Sequence, residues 1–334
     1  MFDVLARFHD ENGACKLLEV LPDGVGSVGV VDCMPRLVPD GQTADYAVVQ
    51  AARTSYGQGT KKVSEDRGLL RYLLRHHDTT PFEMVRIKFF VRMPIYVYRQ
   101  FFRHRTNDQC EIEITTNDES ARKYLSMNEY SARYSVVQDI AHLPELRVQS
   151  KDNKQGGEVR LADVNDALDR ELTSSIHAGQ VASYALYKDM IDKGVSREVA
   201  RTVLPVSFTT EFYFTVDLWN LMHFLKLRCD THAQKEIRVF ANCMAWVVKC
   251  LFPVSYEAWM DYHFGAVTLS KAEMQIVQTL AEIGMRPNLL EEIKAAASGK
   301  LSDREAVELF KKLVGAHVID PGDHYDDGSV DKTG

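Results

Sequence analysis

Residues 94–105 read PIYVYRQFFRHR, an apolar and aromatic run that ends in basic side chains. Pro94 suits the first turn of a helix because its φ angle is already helical, so the stretch predicts a helix over 95–105. Arg99 and Arg103 are four residues apart and would share one face of that helix. Because like charges at this spacing repel, the pair indicates a bound phosphate or carboxylate, which arginine holds with two parallel donors. A solvated basic face or internal ion pairs would explain the same pattern.

Further arginines occur at helical spacing later in the chain. Arg197 and Arg201 are again four residues apart, and Arg228 is followed by His232 in LKLRCDTHAQKEI. The chain as a whole is acidic, with a net charge of −7, so an anion site would be a local concentration of arginines. Arginines that converge from distant segments are typical of a nucleotide or cofactor site.

A polar phrase occurs twice soon after the first basic cluster. Residues 115–122 read TTNDESAR, and residues 126–133, eleven positions later, read SMNEYSAR. Eleven residues are close to three helical turns, but Asn, Asp, Ser and Thr are typical of loops. We therefore predict a loop over 106–130, and the repeat alone does not decide which copy binds a ligand.

Periodicity and capping residues predict the remaining elements. Strands are expected in the first 40 residues and over 82–93 and 206–216, where apolar residues alternate or β-branched and aromatic residues cluster. Helices are expected over 43–54, 64–76, 162–192, 196–204, 217–227 and 231–251. Beyond these, amphipathic helices are expected over 269–315, followed by a disordered acidic tail.

Cysteine use and hydropathy indicate a cytoplasmic protein. The six cysteines form no Cys-x-x-Cys pair and indicate no zinc site, so reduced thiols are expected. The N-terminal residues do not resemble a secretory signal. No run of 18 or more apolar residues occurs, so no membrane span is expected. A general nucleic-acid binder is more often basic, so no nucleic-acid partner is expected.

Two other functions use overlapping residues. A metal-dependent nucleotide phosphohydrolase could draw its ligands from a set of polar residues rich in histidine and aspartate, although capping and surface roles explain them better. That set comprises His76, His77, Asp78, His223, Asp230, Thr231 and His232. A non-enzymatic nucleotide- or RNA-binding module could be built on the arginines. Separately, Cys229 beside Arg228 could be a thiolate nucleophile or a small packed residue.

Taken together, these segments resemble the flavin-dependent thymidylate synthases, the ThyX family. The family motif is Arg-His-Arg followed, after a gap, by Ser-x-Asn-Glu-x-Ser-x-Arg-Tyr, and residues 103–105 and 126–134 are similar to its two halves. Flanking stretches also resemble the family: AARTSYG at 51–57, TPFE at 80–83, REVARTVLP at 197–205 and MHFLKLRCDTHAQKEIR at 222–238. The resemblance covers roughly residues 27–263 and favours the second copy of the repeated phrase, because Lys123 breaks the Arg-Tyr ending of the first.

The resemblance implies an α+β (mixed α/β) fold with a helical core and small antiparallel sheet lobes. It implies a catalytic domain over 1–263, into which residues 106–125 are inserted. We expect a helical C-terminal extension over 264–316, which matches nothing in the family pattern, and a disordered tail over 317–334.

The activity that the resemblance implies is reductive methylation of dUMP to dTMP. Methylenetetrahydrofolate would supply the carbon, and NADPH would supply electrons through FAD. The site would be shared between the subunits of a homotetramer, and no metal is expected. Arg228 is the implied catalytic residue, whose fixed charge would stabilise negative charge on the pyrimidine N3–C2=O system.

The resemblance also assigns binding residues position by position. For dUMP they are Gln100, Arg103, Glu129, Tyr130, Ser131, Ala132, Arg133, Arg201 and Arg228. For FAD they are Thr80, Arg103, His104, Arg105, Glu129, Asp217, Trp219, His223 and His232. The chain departs from the family pattern at Asp78, where many members have His, and at Asp217 and Trp219, where some members have Asn and Arg.

Overall fold

The computed structural model describes residues 1–21, 24–54, 66–104, 127–151, 154–270 and 274. A five-stranded antiparallel sheet has the order β2-β3-β5-β7-β6, formed by Leu17–Leu21, Gly26–Met34, Arg86–Pro94, Thr209–Asp217 and Met127–Glu129. Two further short strands, β1 (Phe2–Asp3) and β4 (Leu37–Val38), pair with each other. The α-helices α1–α9 are Asp45–Arg53, Asp66–Arg75, Thr80–Glu83, Ile95–Phe101, Leu161–Asp192, Arg197–Ala200, Leu218–Arg228, Lys235–Leu251 and Pro253–Trp259. The fold is α+β, as predicted.

Strands β5 and β7 pair along their whole length, from Arg86 opposite Asp217 to Pro94 opposite Thr209. Along β5 the side chains of Ile87, Phe89 and Val91 are buried, whereas their neighbours are at least partly exposed. This period of two is what one buried sheet face requires. The predicted strands in these two segments are confirmed, and the buried face forms the main core with α7 and α8.

Phe101, at the end of α4, lies at the centre of this core. Its buried ring is 4.9 Å from the ring of Phe214 in β7 and 4.7 Å from that of Phe224 in α7. Such aromatic contacts add directional packing to the burial of apolar area. They fix the end of α4 beside α7, shortly before the basic residues Arg103 and His104.

Three predicted boundaries are wrong. Helix α4 ends at Phe101 and not at residue 105, so Arg103 follows the helix in a turn and does not share a face of it with Arg99. Pro81 lies in the first turn of the short helix α3 and does not open strand β5. Helix α8 begins at Lys235 and not near residue 231, because Asp230 holds the backbone N–H of His232 in a turn.

Besides α3, strand β6 and helix α9 were not predicted. Strand β6 has only three residues, too few to show an alternating pattern, and it pairs with β7. Helix α9 follows Phe252 and continues into a π-helical turn, Met260–Phe264. The carboxylate of Asp45 accepts hydrogen bonds from the backbone N–H groups of Val254 and Ser255 and so caps the start of α9.

Helix α5, Leu161–Asp192, is close to the predicted range 162–192 but is kinked at Asn165, and only Gln180 and Tyr187 among its residues are buried. Tyr187 packs with Val137, Ala200 and Phe208 in a second, smaller apolar cluster. This cluster joins α5 to α6 and to the segment that follows β6.

The chain divides into two compact units, Met1–Ala266 and Val267–Gly334. The predicted insertion over 106–125 and the predicted tail lie outside the described residues, as does nearly all of the predicted C-terminal extension. In the described part of the chain, no helix combines the length and apolar character that crossing a membrane requires.

Candidate active site

Arg228, the last residue of α7, is held against the end of α4. Its Nε donates a hydrogen bond to Nε2 of His104 at 2.7 Å, and its Nη2 donates to the backbone oxygen of Gln100 at 3.4 Å. The ring of His104 in turn meets Phe224 edge-on, with 4.8 Å between centroids. We call Gln100, His104 and Arg228 the Arg228 group. It fixes one guanidinium in a half-buried position, and no described residue accepts a hydrogen bond from the other N–H donors of that guanidinium.

His104 is neutral at physiological pH. Its side chain is 8% exposed, and burial, followed by the charges of Arg228 and His223, lowers its pKa to about 4. Since Nε2 accepts from Arg228, the ring proton must lie on Nδ1. His104 therefore serves as an acceptor that orients the guanidinium.

Burial moves the pKa of the two groups at the end of α7 in opposite directions. It lowers the pKa of Arg228, but the ordinary pKa of an arginine is so high that the side chain stays charged at neutral pH. It raises the pKa of the Cys229 thiol to about 12. The hypothesis of a Cys229 thiolate nucleophile is therefore not supported, because the thiol stays protonated.

Glu129, at the end of β6, bonds the neighbouring strand. Its Oε1 accepts a hydrogen bond from the Thr210 hydroxyl at 2.7 Å. Burial, and then the charge of Glu129, raise the pKa of the Tyr98 hydroxyl. Residue 130 continues the pairing with β7, because the Tyr130 backbone N–H donates to the Glu211 oxygen at 2.7 Å. The second copy of the repeated phrase thus starts as a strand and leaves the sheet after Tyr130.

The chain then forms a turn over 131–134, which we call the Ser131 turn. The backbone N–H of Tyr134 donates to the oxygen of Ser131 at 3.0 Å, and Ala132 packs on the smaller apolar cluster. Arg197 Nη1 donates to the Tyr134 oxygen at 3.1 Å. Arg133 is exposed, and its guanidinium pairs loosely with Glu198 at 3.6 Å. Arg201, four residues after Arg197, is exposed as well.

Some of the residues assigned to FAD have exposed side chains, and others already contact partners within the chain. Thr80, Arg103 and His223 are exposed and hold hydrogen-bond donors toward solvent. Asp217 is buried, and its two carboxylate oxygens accept from the backbone and side-chain N–H of Asn220, so it caps α7. Trp219 packs edge-on to His263 at 5.4 Å, and exposed His232 bonds Asp230 at 2.8 Å. Arg105 lies outside the described residues.

The structure brings some predicted site residues together and keeps others apart. Gln100, His104 and Arg228 are in direct contact. Among the described residues, no hydrogen bond or ion pair joins this group to the Ser131 turn. Three residues that hold Gln100 in place, Arg147, Gln234 and Glu236, were missed. Gln234 and Glu236 lie in the quoted stretch 222–238, whereas no sequence signal marks Arg147.

A metal site receives no support from the residues that the structure describes. Among them, no group of three or more His, Cys, Asp and Glu side chains is arranged to hold a metal ion. His77 instead packs edge-on against His263, with 5.0 Å between centroids. The phosphohydrolase hypothesis therefore lacks the ligand cluster that it requires.

Comparison with known proteins gives a consistent result. The family model described as Thymidylate synthase complementing protein matches residues 36–254. A flavin-dependent thymidylate synthase from Dictyostelium discoideum is 43% identical over 276 residues, which are 82% of this chain and 84% of that protein. One from Thermus thermophilus is 41% identical over 272 residues, 81% of this chain and 90% of that protein.

A solved structure is also similar. The UMP/dUMP methylase PolB from Streptomyces cacaoi, bound with 5-Br dUMP, superimposes with a TM-score of 0.57 at 30% sequence identity. The match covers 71% of this chain and 95% of that one.

Proposed function

The chain belongs to the flavin-dependent thymidylate synthase family, and from this premise we propose that it converts dUMP to dTMP by reductive methylation. Methylenetetrahydrofolate supplies the carbon, and NADPH supplies the electrons through FAD. The relatives' names and the dUMP analogue bound by the similar methylase support this assignment. A cytoplasmic enzyme is part of the same proposal.

The observation that carries the proposal is the fixed position of Arg228. Uracil C5 is a weak nucleophile, so carbon transfer to it needs negative charge to be stabilised on the pyrimidine ring. A guanidinium held in place by His104 and the Gln100 carbonyl needs no reorganisation when that charge develops. The protonated thiol of Cys229 agrees with this chemistry, because that side chain offers no thiolate to add to C6.

The Ser131 turn suits the phosphate of dUMP. Arg133 and Arg201 are exposed, and Arg133 pairs only loosely with Glu198 at 3.6 Å. Exposed ion pairs of this kind contribute little, so a phosphate can replace the carboxylate at small cost. Arginine forks and the backbone N–H groups of the turn are the usual phosphate donors.

The Arg228 group and the Ser131 turn are not joined within the described part of one chain. A homotetramer with shared sites would resolve this, because a neighbouring subunit would supply one of the two groups. Glu129 and Tyr130 connect the turn to the sheet on which α4 packs, and both are assigned to dUMP in the same proposal.

The donor set near α4 and α7 fits FAD. His223 lies close enough to His104 to lower the pKa of that ring, and the side chains of Arg103 and Thr80 are exposed. Cationic and hydroxyl donors match the diphosphate and ribityl oxygens of FAD. When bound and reduced by NADPH, the flavin would supply the hydride that reduces the transferred carbon. Arg105, Trp219 and His232 complete the proposed FAD set, and Asp217 contributes by fixing the start of α7.

The test is Arg228→Ala, measured as NADPH- and folate-dependent tritium release from dUMP labelled at C5. We expect turnover to fall by about a thousandfold, the upper range for loss of one fixed donor to developing charge, while bound flavin remains. Arg36→Ala, which removes an exposed arginine paired with Asp3, is the matched control. Turnover near the wild-type value in Arg228→Ala, or purified protein that cannot bind FAD, would contradict the proposal.

A further inference from the structure

Three tyrosine hydroxyls bond the backbone that follows the Ser131 turn. Tyr130 donates to the oxygen of Val136 at 3.0 Å, and Tyr184 donates to the oxygen of Val137 at 3.1 Å. The hydroxyl of Tyr187 accepts from the backbone N–H of Val137 at 2.9 Å. We call these three residues the tyrosine clamp.

Tyr130 joins the two ends of the loop that contains the turn. It lies just before residue 131 and its hydroxyl bonds Val136, so residues 131–135 are closed into a ring. A loop whose ends are already joined has less conformational freedom to lose. The backbone N–H of Tyr130 also bonds the Glu211 oxygen of β7 at 2.7 Å. The turn is therefore anchored to the sheet on its N-terminal side.

Helix α5 anchors the other side of the turn. Gln180, Tyr184 and Tyr187 are spaced by four and three residues, so they lie on one face of the helix. Gln180 Nε2 donates to the oxygen of His142 at 2.9 Å, and the two tyrosines bond Val137. All three side chains thus bond the segment 136–142. Since Gln180 and Tyr187 are the buried residues of α5, holding this segment is the main contact that the helix makes.

Burial makes the bonds to Val137 hard to replace. Tyr187 is fully buried and Val137 is 8% exposed, while the ring of Tyr184 stacks on Phe208 with 5.8 Å between centroids. A buried backbone N–H that loses its acceptor is strongly disfavoured. Because both the N–H and the oxygen of Val137 are bonded, this residue is fixed in position and orientation.

We propose that Tyr184 and Tyr187 are positioning residues for phosphate binding, which act by holding Val137 and, through it, the Ser131 turn. This inference rests on the proposed function, which places the phosphate of dUMP at that turn. The side chain of Arg133 stays free to close on the phosphate, whereas the backbone that carries it is fixed in advance. Binding to a backbone that is already ordered costs less entropy.

The decisive variant is Tyr187→Phe, which keeps the buried ring and removes the acceptor of the Val137 N–H. Dissociation constants for dUMP and for deoxyuridine are measured by titration calorimetry on the flavin-loaded protein. Deoxyuridine lacks only the phosphate, so the ratio of the two constants isolates what the phosphate contributes. We expect binding of dUMP to weaken by about tenfold, roughly the effect of one hydrogen bond, and binding of deoxyuridine to stay unchanged.

The matched control is Tyr262→Phe. The hydroxyl of Tyr262 accepts from Arg71 Nη2 at 2.9 Å, so this variant also removes a bonded hydroxyl, but in the π-helical turn and outside the tyrosine clamp. We expect it to keep the wild-type ratio of the two dissociation constants.

A second variant covers the case in which Tyr187→Phe does not fold. Tyr184→Phe keeps the ring that stacks on Phe208 and loses only the bond to the Val137 oxygen, so the same selective loss of dUMP affinity is expected. Turnover at saturating dUMP should stay near the wild-type value in both variants.

Two results in a folded, flavin-containing variant would overturn the inference alone. One is an unchanged affinity for dUMP, and the other is an equal weakening of dUMP and deoxyuridine, which would mean that the tyrosines only stabilise the fold. Wild-type protein that binds neither compound would instead overturn the proposed function.

Discussion

The Arg228 group and the Ser131 turn differ in how firmly the chain holds them. Arg228 is half buried and bonded to His104 and Gln100, and the core behind it packs around Phe101. Arg133 is exposed and paired at 3.6 Å. Groups that stabilise developing charge must be fixed in advance, whereas groups that hold a phosphate can close on it when it arrives. We therefore expect substitutions in the first region to affect turnover and those in the second to affect binding.

Among the substitutions that test this difference between the two regions, Arg228→Lys has the largest expected effect on turnover. Lysine keeps the charge but loses the planar fork that bonds His104 and Gln100. We expect turnover to fall by about a hundredfold or more, with little change in dUMP affinity. Tritium release gives the first quantity and titration calorimetry the second. A variant that lost affinity while keeping its turnover would reverse the roles that we give to the two regions.

Phe101→Ala probes what fixes the Arg228 group. Truncation of a buried aromatic residue costs about 3–5 kcal/mol of unfolding free energy, and here it also removes the contacts that hold α4 against α7. Urea denaturation measures the loss. The control is Phe102→Ala, since Phe102 is 46% exposed and next in sequence. Equal losses of unfolding free energy in both variants would mean that Phe101 stabilises the core no more than exposed Phe102 does.

Arg133→Ala tests the Ser131 turn. We expect dUMP affinity to fall by about tenfold to a hundredfold, the value of a charge-assisted hydrogen bond. The melting temperature should stay unchanged, because the pair with Glu198 is exposed. Arg122→Ala, in the first copy of the repeated phrase, is the control and should bind dUMP normally. If Arg122→Ala lost dUMP binding and Arg133→Ala did not, the first copy of the repeated phrase would be the one that binds dUMP.

His104 makes stability depend on pH. Its pKa is about 4 in the folded protein and near 6.5 when unfolded, so between these values the unfolded chain binds more protons. The contribution to stability is complete above about pH 6.5 and is lost as pH falls toward 4. Between pH 7 and 5 the loss is about 2 kcal/mol. The unfolding free energy of His104→Gln, measured by urea denaturation at several pH values, should fall less over this interval than that of the wild-type protein.

Sequence reasoning predicted the site best where the residues are close along the chain. Helix α7 was predicted over 217–227 with Asp217 as its cap, and the structure confirms that cap and ends the helix one residue later, at Arg228. The turn that follows Phe101 could not be predicted, because His104 leaves the helix to pack on Phe224 and accept from Arg228.

Residues that act across long separations were harder to find. Arg147 bonds Glu236 from 89 positions away, and a lone arginine in a loop gives no sign of its partner. Strand β6, with only three residues, is defined by its pairing with β7, which lies far away along the chain. Such tertiary effects outweigh local propensity.

The high pKa of the Cys229 thiol bears on the design of inhibitors. Burial also raises the pKa of Cys33 to about 12 and that of Cys243 to about 11. At neutral pH each of these three thiols is thiolate in no more than about one molecule in ten thousand. Electrophilic compounds that capture an active-site cysteine would therefore find a poor target at Cys229. A reversible anion aimed at the Arg228 guanidinium is the more promising chemical lead.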